Sequence, residues 1–161
     1  MFEIVVYGAR ANLYKPSKCP SYHEMQIVVD TNFWLIPGQF RVDIFAEFER
    51  LCGQKSQVIA FSATVDELQK LTTTAKTASQ RLAAKLGLQL ITQKKVQIIP
   101  IDHGYADDAI VTFARTAREQ QQTIGVATQD QQLKSRLKPL GVSVIVLRAR
   151  SHLEIITQSY K

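Results

Sequence analysis

Short apolar runs alternate along this chain with longer stretches whose apolar positions recur at helical spacing, and that alternation constrains the fold more than any other feature. Residues 27–29 (IVV), 57–62 (QVIAFS), 96–100 (VQIIP), 123–128 (TIGVAT) and 142–147 (VSVIVL) read as buried strands. Between them, 42–51 carries Ile44, Phe45, Phe48 and Leu51 on one helical face and stops at Gly53. A helix capped by Ser62 or Thr64 is expected to run to Gly87, with the poor helix formers Thr72, Thr73 and Thr74 able to split it. Residues 107–122 place Ile110, Ala114 and Ala117 on one face, and a last helix over 130–141 is closed by Pro139 and Gly141. Strands and helices taking turns through short connections imply an α/β fold with a mostly parallel sheet covered on both faces. The 161 residues suffice for one such domain with a continuous core. Only residues 1–24, with Pro16 and Pro20, stand apart as an arm or extension ahead of a domain at 25–161.

The acids fall in a pattern that this sheet makes meaningful. In a parallel sheet all strands point one way, and ligands bind beyond their carboxyl ends. Asp30 ends the first strand, and Glu67 lies in the opening turns of the helix after the second. Asp107 and Asp108 open the helix after the third, and Asp130 follows the strand at 123–128. Singly, each has an ordinary use: Asp130, Asp107 or Asp108 as a helix cap, Glu67 as a partner of a helix dipole, Asp30 in a turn. Caps, however, have no reason to converge on one rim. Two carboxylates about 5 Å apart at an effective dielectric of about 20 repel by roughly 3 kcal/mol, so a bare cluster would protonate or splay. A hard divalent cation removes that cost, and all-oxygen ligands suit Mg²⁺ or Mn²⁺. Such an ion activates water and neutralises a phosphodiester, which points to nucleic-acid hydrolysis.

The rest of the composition agrees. Twenty Lys and Arg against 14 Asp and Glu give a net charge of +6, a balance that favours a polyanionic partner. With 7 glycines and no GxxxxGK[ST], the chain has no phosphate-cradling loop, and no Ser-His-Asp or Cys-His set stands out. Asp30-Thr31-Asn32 lacks the second acid that phosphatases of the haloacid dehalogenase type require, and a phospho-receiver's paired acids and final lysine are missing as well. Cys19 and Cys52 form no CxxC pair; both read as bystanders, Cys52 as packing. No apolar run is long enough to cross a bilayer and no secretory signal is apparent, so a cytoplasmic protein is expected.

"VVDTNF" with Asp30, "TVDELQKL" with Glu67, "GYADDAIV" with Asp107 and Asp108, and "VATQDQQLKSRL" with Asp130 resemble the PIN-domain ribonucleases, in order and spacing, over about residues 25–154. "GYADDAIV" and "VSVIVLRARSHLEI" are most similar to the branch that contains the rRNA-processing nucleases of ribosome biogenesis and their archaeal relatives. The resemblance implies a three-layer α/β/α sandwich around a parallel sheet, and Mg²⁺- or Mn²⁺-dependent endonucleolytic cleavage of RNA that leaves a 5′ phosphate and a 3′ hydroxyl. It makes Asp30, Glu67 and Asp130 catalytic metal ligands and leaves the third position open between Asp107 and Asp108. It gives Asn32 and Thr128 the task of orienting those acids by hydrogen bonds. RNA, precursor rRNA included, would be the partner. A second copy, a pre-ribosomal particle or an antitoxin stays open as a protein partner, since a toxin ribonuclease shares the chemistry. A nuclease-dead RNA-binding module is the alternative from another class. Gln129 stands where relatives often carry Asn, and residues 1–24 have no counterpart in the core domain.

Around these motifs, Arg148 and Arg150 are candidates to grip RNA phosphates, against the plainer reading of a solvated strand end. Lys134, Arg136 and Lys138 read as the wet face of the last helix. His103 near Asp107 reads as a loop residue more readily than a ligand. Phe33, Trp34 and Phe40, around the turn-like IPGQF, are candidates for base stacking or, more commonly, for packing.

Overall fold

The computed structural model describes residues 25–102 and 104–157. The arm at 1–24, Cys19 and His103 therefore lie outside the described residues. The elements run β1 (Gln26–Val29), α1 (Ile36–Phe40), α2 (Ile44–Cys52), β2 (Gln57–Phe61), α3 (Ser62–Thr74), α4 (Ala78–Gln93), β3 (Gln97–Ile99), α5 (Ala106–Glu119), β4 (Ile124–Ala127), α6 (Gln131–Leu137), β5 (Ser143–Arg148) and β6 (His152–Ile156). Short 3-10 turns at Thr31–Leu35 and Lys138–Leu140 precede α1 and follow α6.

The strands form one sheet in the order β3-β2-β1-β4-β5-β6, parallel except for β6. Alternation along β1 divides the core: Ile27 and Val29 join the face covered by the segment from Phe33 through α4, and Val28 joins the face covered by α5 and α6. Helices on both faces of a mostly parallel sheet make the three-layer α/β/α arrangement. From β1 the chain steps outward to β2 and β3, then crosses back to lay β4 on the other side of β1. The order of strands thus reverses between β1 and β4, and in open α/β sheets the crevice beyond such a reversal is where ligands bind.

Local chemistry explains the element boundaries. Asp43 caps α2 by accepting from the N–H groups of Phe45 and Ala46, and Thr77 caps α4 through the Gln80 N–H. The threonine run does split the long helix: the hydroxyls of Thr72, Thr73 and Thr74 bond back to the carbonyls of Gln69 and Lys70, and α3 ends there. The expected stop at Gly87 does not occur, and α4 continues to Gln93. Gly87 is there for closeness, since a Cβ would come within 2.9 Å of the Trp34 carbonyl oxygen; Gly38 on α1 likewise meets the backbone of Ala83. The turn-like IPGQF is helical as α1. Phe33 and Trp34 are wholly buried and Phe33 stacks on Phe48, so these two rings serve the core and not a nucleobase. Ser62 and Thr64 do not cap α3: its cap position is Phe61, and Thr64 is buried within the helix.

The strand at 142–147 is not the last. Past it, Ala149 and Arg150 turn the chain with positive φ (50° and 56°), and β6 returns antiparallel to β5. Glu47 fastens that hairpin to α2. Its carboxylate accepts from Arg50 and, at 2.7 Å, from the Leu153 N–H, while Arg50 also donates to the Leu153 carbonyl. The Arg50 bond in first place, then the Leu153 N–H, holds the Glu47 carboxyl down at about 2. No helix among the described residues is long and apolar enough to cross a membrane.

Candidate active site

A cavity of about 240 Å³ opens at the carboxyl ends of β1 and β4, lined by Asp30, Thr31, Asn32, Glu67, Tyr105, Ala106, Asp107 and Asp130. Four acids from four separate stretches of chain meet there. Asp30 is the residue after β1 and is 4% exposed. Glu67 points in from α3, Asp107 from the first turn of α5, and Asp130 from the cap of α6.

Hydrogen bonds fix three of the four acids, Asp30, Glu67 and Asp130, and tie them to their neighbours. The Asp30 Oδ1 accepts from the Thr31 N–H at 2.7 Å, and its Oδ2 accepts from the Thr128 hydroxyl at 3.0 Å. That same hydroxyl oxygen accepts from the Asp130 N–H at 3.1 Å, so Thr128, fully buried at the end of β4, joins the two strand-end acids. The Thr31 hydroxyl donates to the Glu67 Oε2 at 2.7 Å. Asp130 is a cap in fact, its Oδ1 accepting from the Leu133 N–H, and it lines the cavity as well. Of the two residues expected to orient the acids, Thr128 makes such a contact, and Asn32 is exposed on the cavity wall. Thr31 does the same work for Glu67 and was not singled out from the sequence; its place between Asp30 and Asn32 was the available signal.

The adjacent acids at 107 and 108 part company. Asp107 faces the cavity, whereas Asp108 is exposed and paired with Arg136 at 2.8 Å. Consecutive helical residues project about 100° apart, so only one of the pair can face inward. Arg148 and Arg150 are exposed on the β5–β6 hairpin: Arg148 pairs with Glu154, and Arg150 lies over the Phe40 ring. Gln129 reaches sideways to the backbone of Leu147, accepting from its N–H at 3.0 Å. Lys134 is half-buried; burial first, and then Arg148, draws its ammonium below the ordinary lysine range, while Asp130 pulls the other way.

The electrostatics are those of anions crowded together. Burial raises the Asp30 carboxyl to about 6, against the opposing bond from Thr128, and the charges of Asp107 and Asp130 push it the same way as burial. Asp107 is raised by burial first, then by Asp130 and Glu67. Among the described residues, no group of three or more His, Cys, Asp or Glu side chains closes into a ready-made metal cage. A hard cation such as Mg²⁺ keeps several waters and uses only one or two carboxylates directly, so the oxygen-only donor set fits it without a tighter cage.

A family profile described as "PIN like domain" matches residues 27–150. In sequence the chain is similar to Ribonuclease VapC4 of Methanocaldococcus jannaschii, 29% identical over 131 residues that make up 81% of this chain and 95% of that protein. In three dimensions it is similar to the structure of the PIN domain endonuclease Utp24, with a TM-score of 0.68 at 22% identity over 86% of this chain and 98% of the other, a likeness of fold.

Proposed function

The chain belongs to the PIN-like domain family, and on that premise we propose that it is a divalent-metal-dependent endoribonuclease whose centre is the acid cavity at the ends of β1 and β4. The observation that carries this reading is the convergence of Asp30, Glu67, Asp107 and Asp130, from four elements, on the crevice where the strand order reverses. These four residues would hold Mg²⁺ or Mn²⁺. The ion, when bound, neutralises phosphate charge and favours ionisation of water. The chain's own residues do the positioning. Thr31 and Thr128 occupy both oxygens of Asp30 so that its carboxylate presents one fixed edge, and the Thr31 hydroxyl aims Glu67. The basic balance of the rest of the chain, +6 overall, draws an RNA strand toward a notch that would otherwise repel it.

The cellular setting we propose is maturation of precursor rRNA in the cytoplasm. A toxin whose partner is an antitoxin is the second reading, and the similarity to Ribonuclease VapC4 keeps it in view. The test is to incubate the pure protein with end-labelled RNA, precursor rRNA fragments included, in Mn²⁺, Mg²⁺ or chelator, and to map the new ends. Cutting that needs the metal and leaves 5′ phosphates is the expected result. Equal cutting in chelator, or wild-type rates from Asp30→Asn, would overturn the assignment. Growth arrest on expression, relieved by a neighbouring gene product, would favour the toxin.

A further inference from the structure

Tyr105 carries an aromatic ring that the fold leaves in water. It is 78% exposed, whereas Phe33, Trp34, Phe48 and Phe61 are packed out of solvent. It also lines the acid cavity, beside Asp30, Glu67, Asp107 and Asp130. Two structural uses that would account for it are missing. It contributes nothing to the core, and although it occupies the cap position of α5, its side chain makes no capping bond. A Ser, Thr, Asp or Asn there would satisfy a free N–H of the first turn, as Asp43, Thr77 and Asp130 do for their helices.

The chemistry of the cavity suggests what the ring adds. Its walls are anionic and polar, which suits a cation and, through it, a phosphate. They offer no surface to the uncharged part of a nucleotide. A tyrosine ring offers a flat π face that any base can cover, whatever its sequence. Tyr105 and Asp107 share one turn of backbone, so a base lying on the ring would hold its own phosphate at the mouth of the acid cluster. A paired base inside a duplex has both faces covered by its neighbours, so such a platform selects an unpaired nucleotide.

Resting on the nuclease reading, we propose that Tyr105 is a stacking platform for an unpaired nucleobase adjacent to the scissile phosphate, and that it directs the site to single-stranded RNA. The experiment uses the full chain carrying Asp30→Asn, to suppress turnover, and a fluorescein-labelled single-stranded RNA 12-mer followed by anisotropy. Adding Tyr105→Ala is expected to weaken binding about 5- to 100-fold, while Tyr105→Phe stays within about twofold. The matching duplex should bind all three alike. When single bases of the 12-mer are replaced in turn by abasic sites, one position should weaken binding to the parent and not to the alanine variant. Unchanged affinity for Tyr105→Ala, no recovery with Phe, or no coupled abasic position overturns the proposal; matched melting curves confirm that the exposed substitution leaves the fold intact. Failure of the nuclease reading is seen separately, as a wild-type chain that cuts no RNA in Mn²⁺ whatever residue stands at 105. Failure of the stacking platform is seen as an active enzyme indifferent to it.

Discussion

Asp30 and Glu47 put one functional group into opposite circumstances. Glu47 meets a guanidinium and a backbone N–H, and its carboxyl sits at about 2. Asp30 is buried among other acids, and its carboxyl sits at about 6 even with two hydrogen bonds in its favour. The first carboxylate holds the fold together; the second strains it. A chain that keeps four acids around one cavity is holding repulsion in reserve, and a cation is the ligand that would release it.

The comparison breaks hardest at the cavity. Asp30→Asn or Asp107→Asn should lower Mn²⁺-dependent RNA cleavage by about 100-fold or more in an end-labelled RNA assay. Glu47→Gln should leave cleavage per folded molecule near wild type but cost about 1–3 kcal/mol of stability. At about 2–4 °C per kcal/mol for a domain of this size, that is a drop of several degrees in Tm by calorimetry. Its pH dependence has a definite sign. Because the folded carboxyl is depressed, the Glu47 contribution is complete above about 4.5 and fades as the pH falls toward about 2. Wild type and Glu47→Gln should therefore converge in Tm in acid.

Asp30 should behave the opposite way. In chelator, a raised carboxyl means that wild type loses stability relative to Asp30→Asn as the pH climbs from about 3.8 through about 6. At neutral pH the metal-free variant should melt a few degrees higher, and Mn²⁺ should raise the Tm of wild type but not of the variant. A wild-type Tm indifferent to Mn²⁺ would remove the distinction between the two carboxylates. The smallest effect is expected at Asp108: its exposed pair with Arg136 is of the surface kind, so Asp108→Asn should cut RNA within about twofold of wild type.

Much of this was readable from residue order because buried parallel strands are short apolar runs and the rim is wherever they stop. Asp30, Glu67, Asp107 and Asp130 could be placed on one rim by that rule alone. Choosing between Asp107 and Asp108 could not, since it depends on the rotation of α5 against α6 and on Arg136 claiming the outward acid. The hairpin to β6 was hidden because Ala149 and Arg150 make the turn where Gly or Asn would have announced one. Gly87 misled for the reverse reason: a residue that usually ends helices is there so that the Trp34 backbone can approach. Tyr105 lies within GYADDAIV, but only its exposure separates it from the many aromatics that pack.

The Thr128 hydroxyl has a mechanical consequence. With its proton it holds the Asp30 carboxylate and with its oxygen the Asp130 backbone N–H, so the two positions beyond the strand ends are registered against each other as one jaw. Glu67 and Asp107 ride on helices and form the jaw that can be reset. Anyone wishing to retune this site for a larger or smaller ion should repack α3 and α5 and leave the sheet alone.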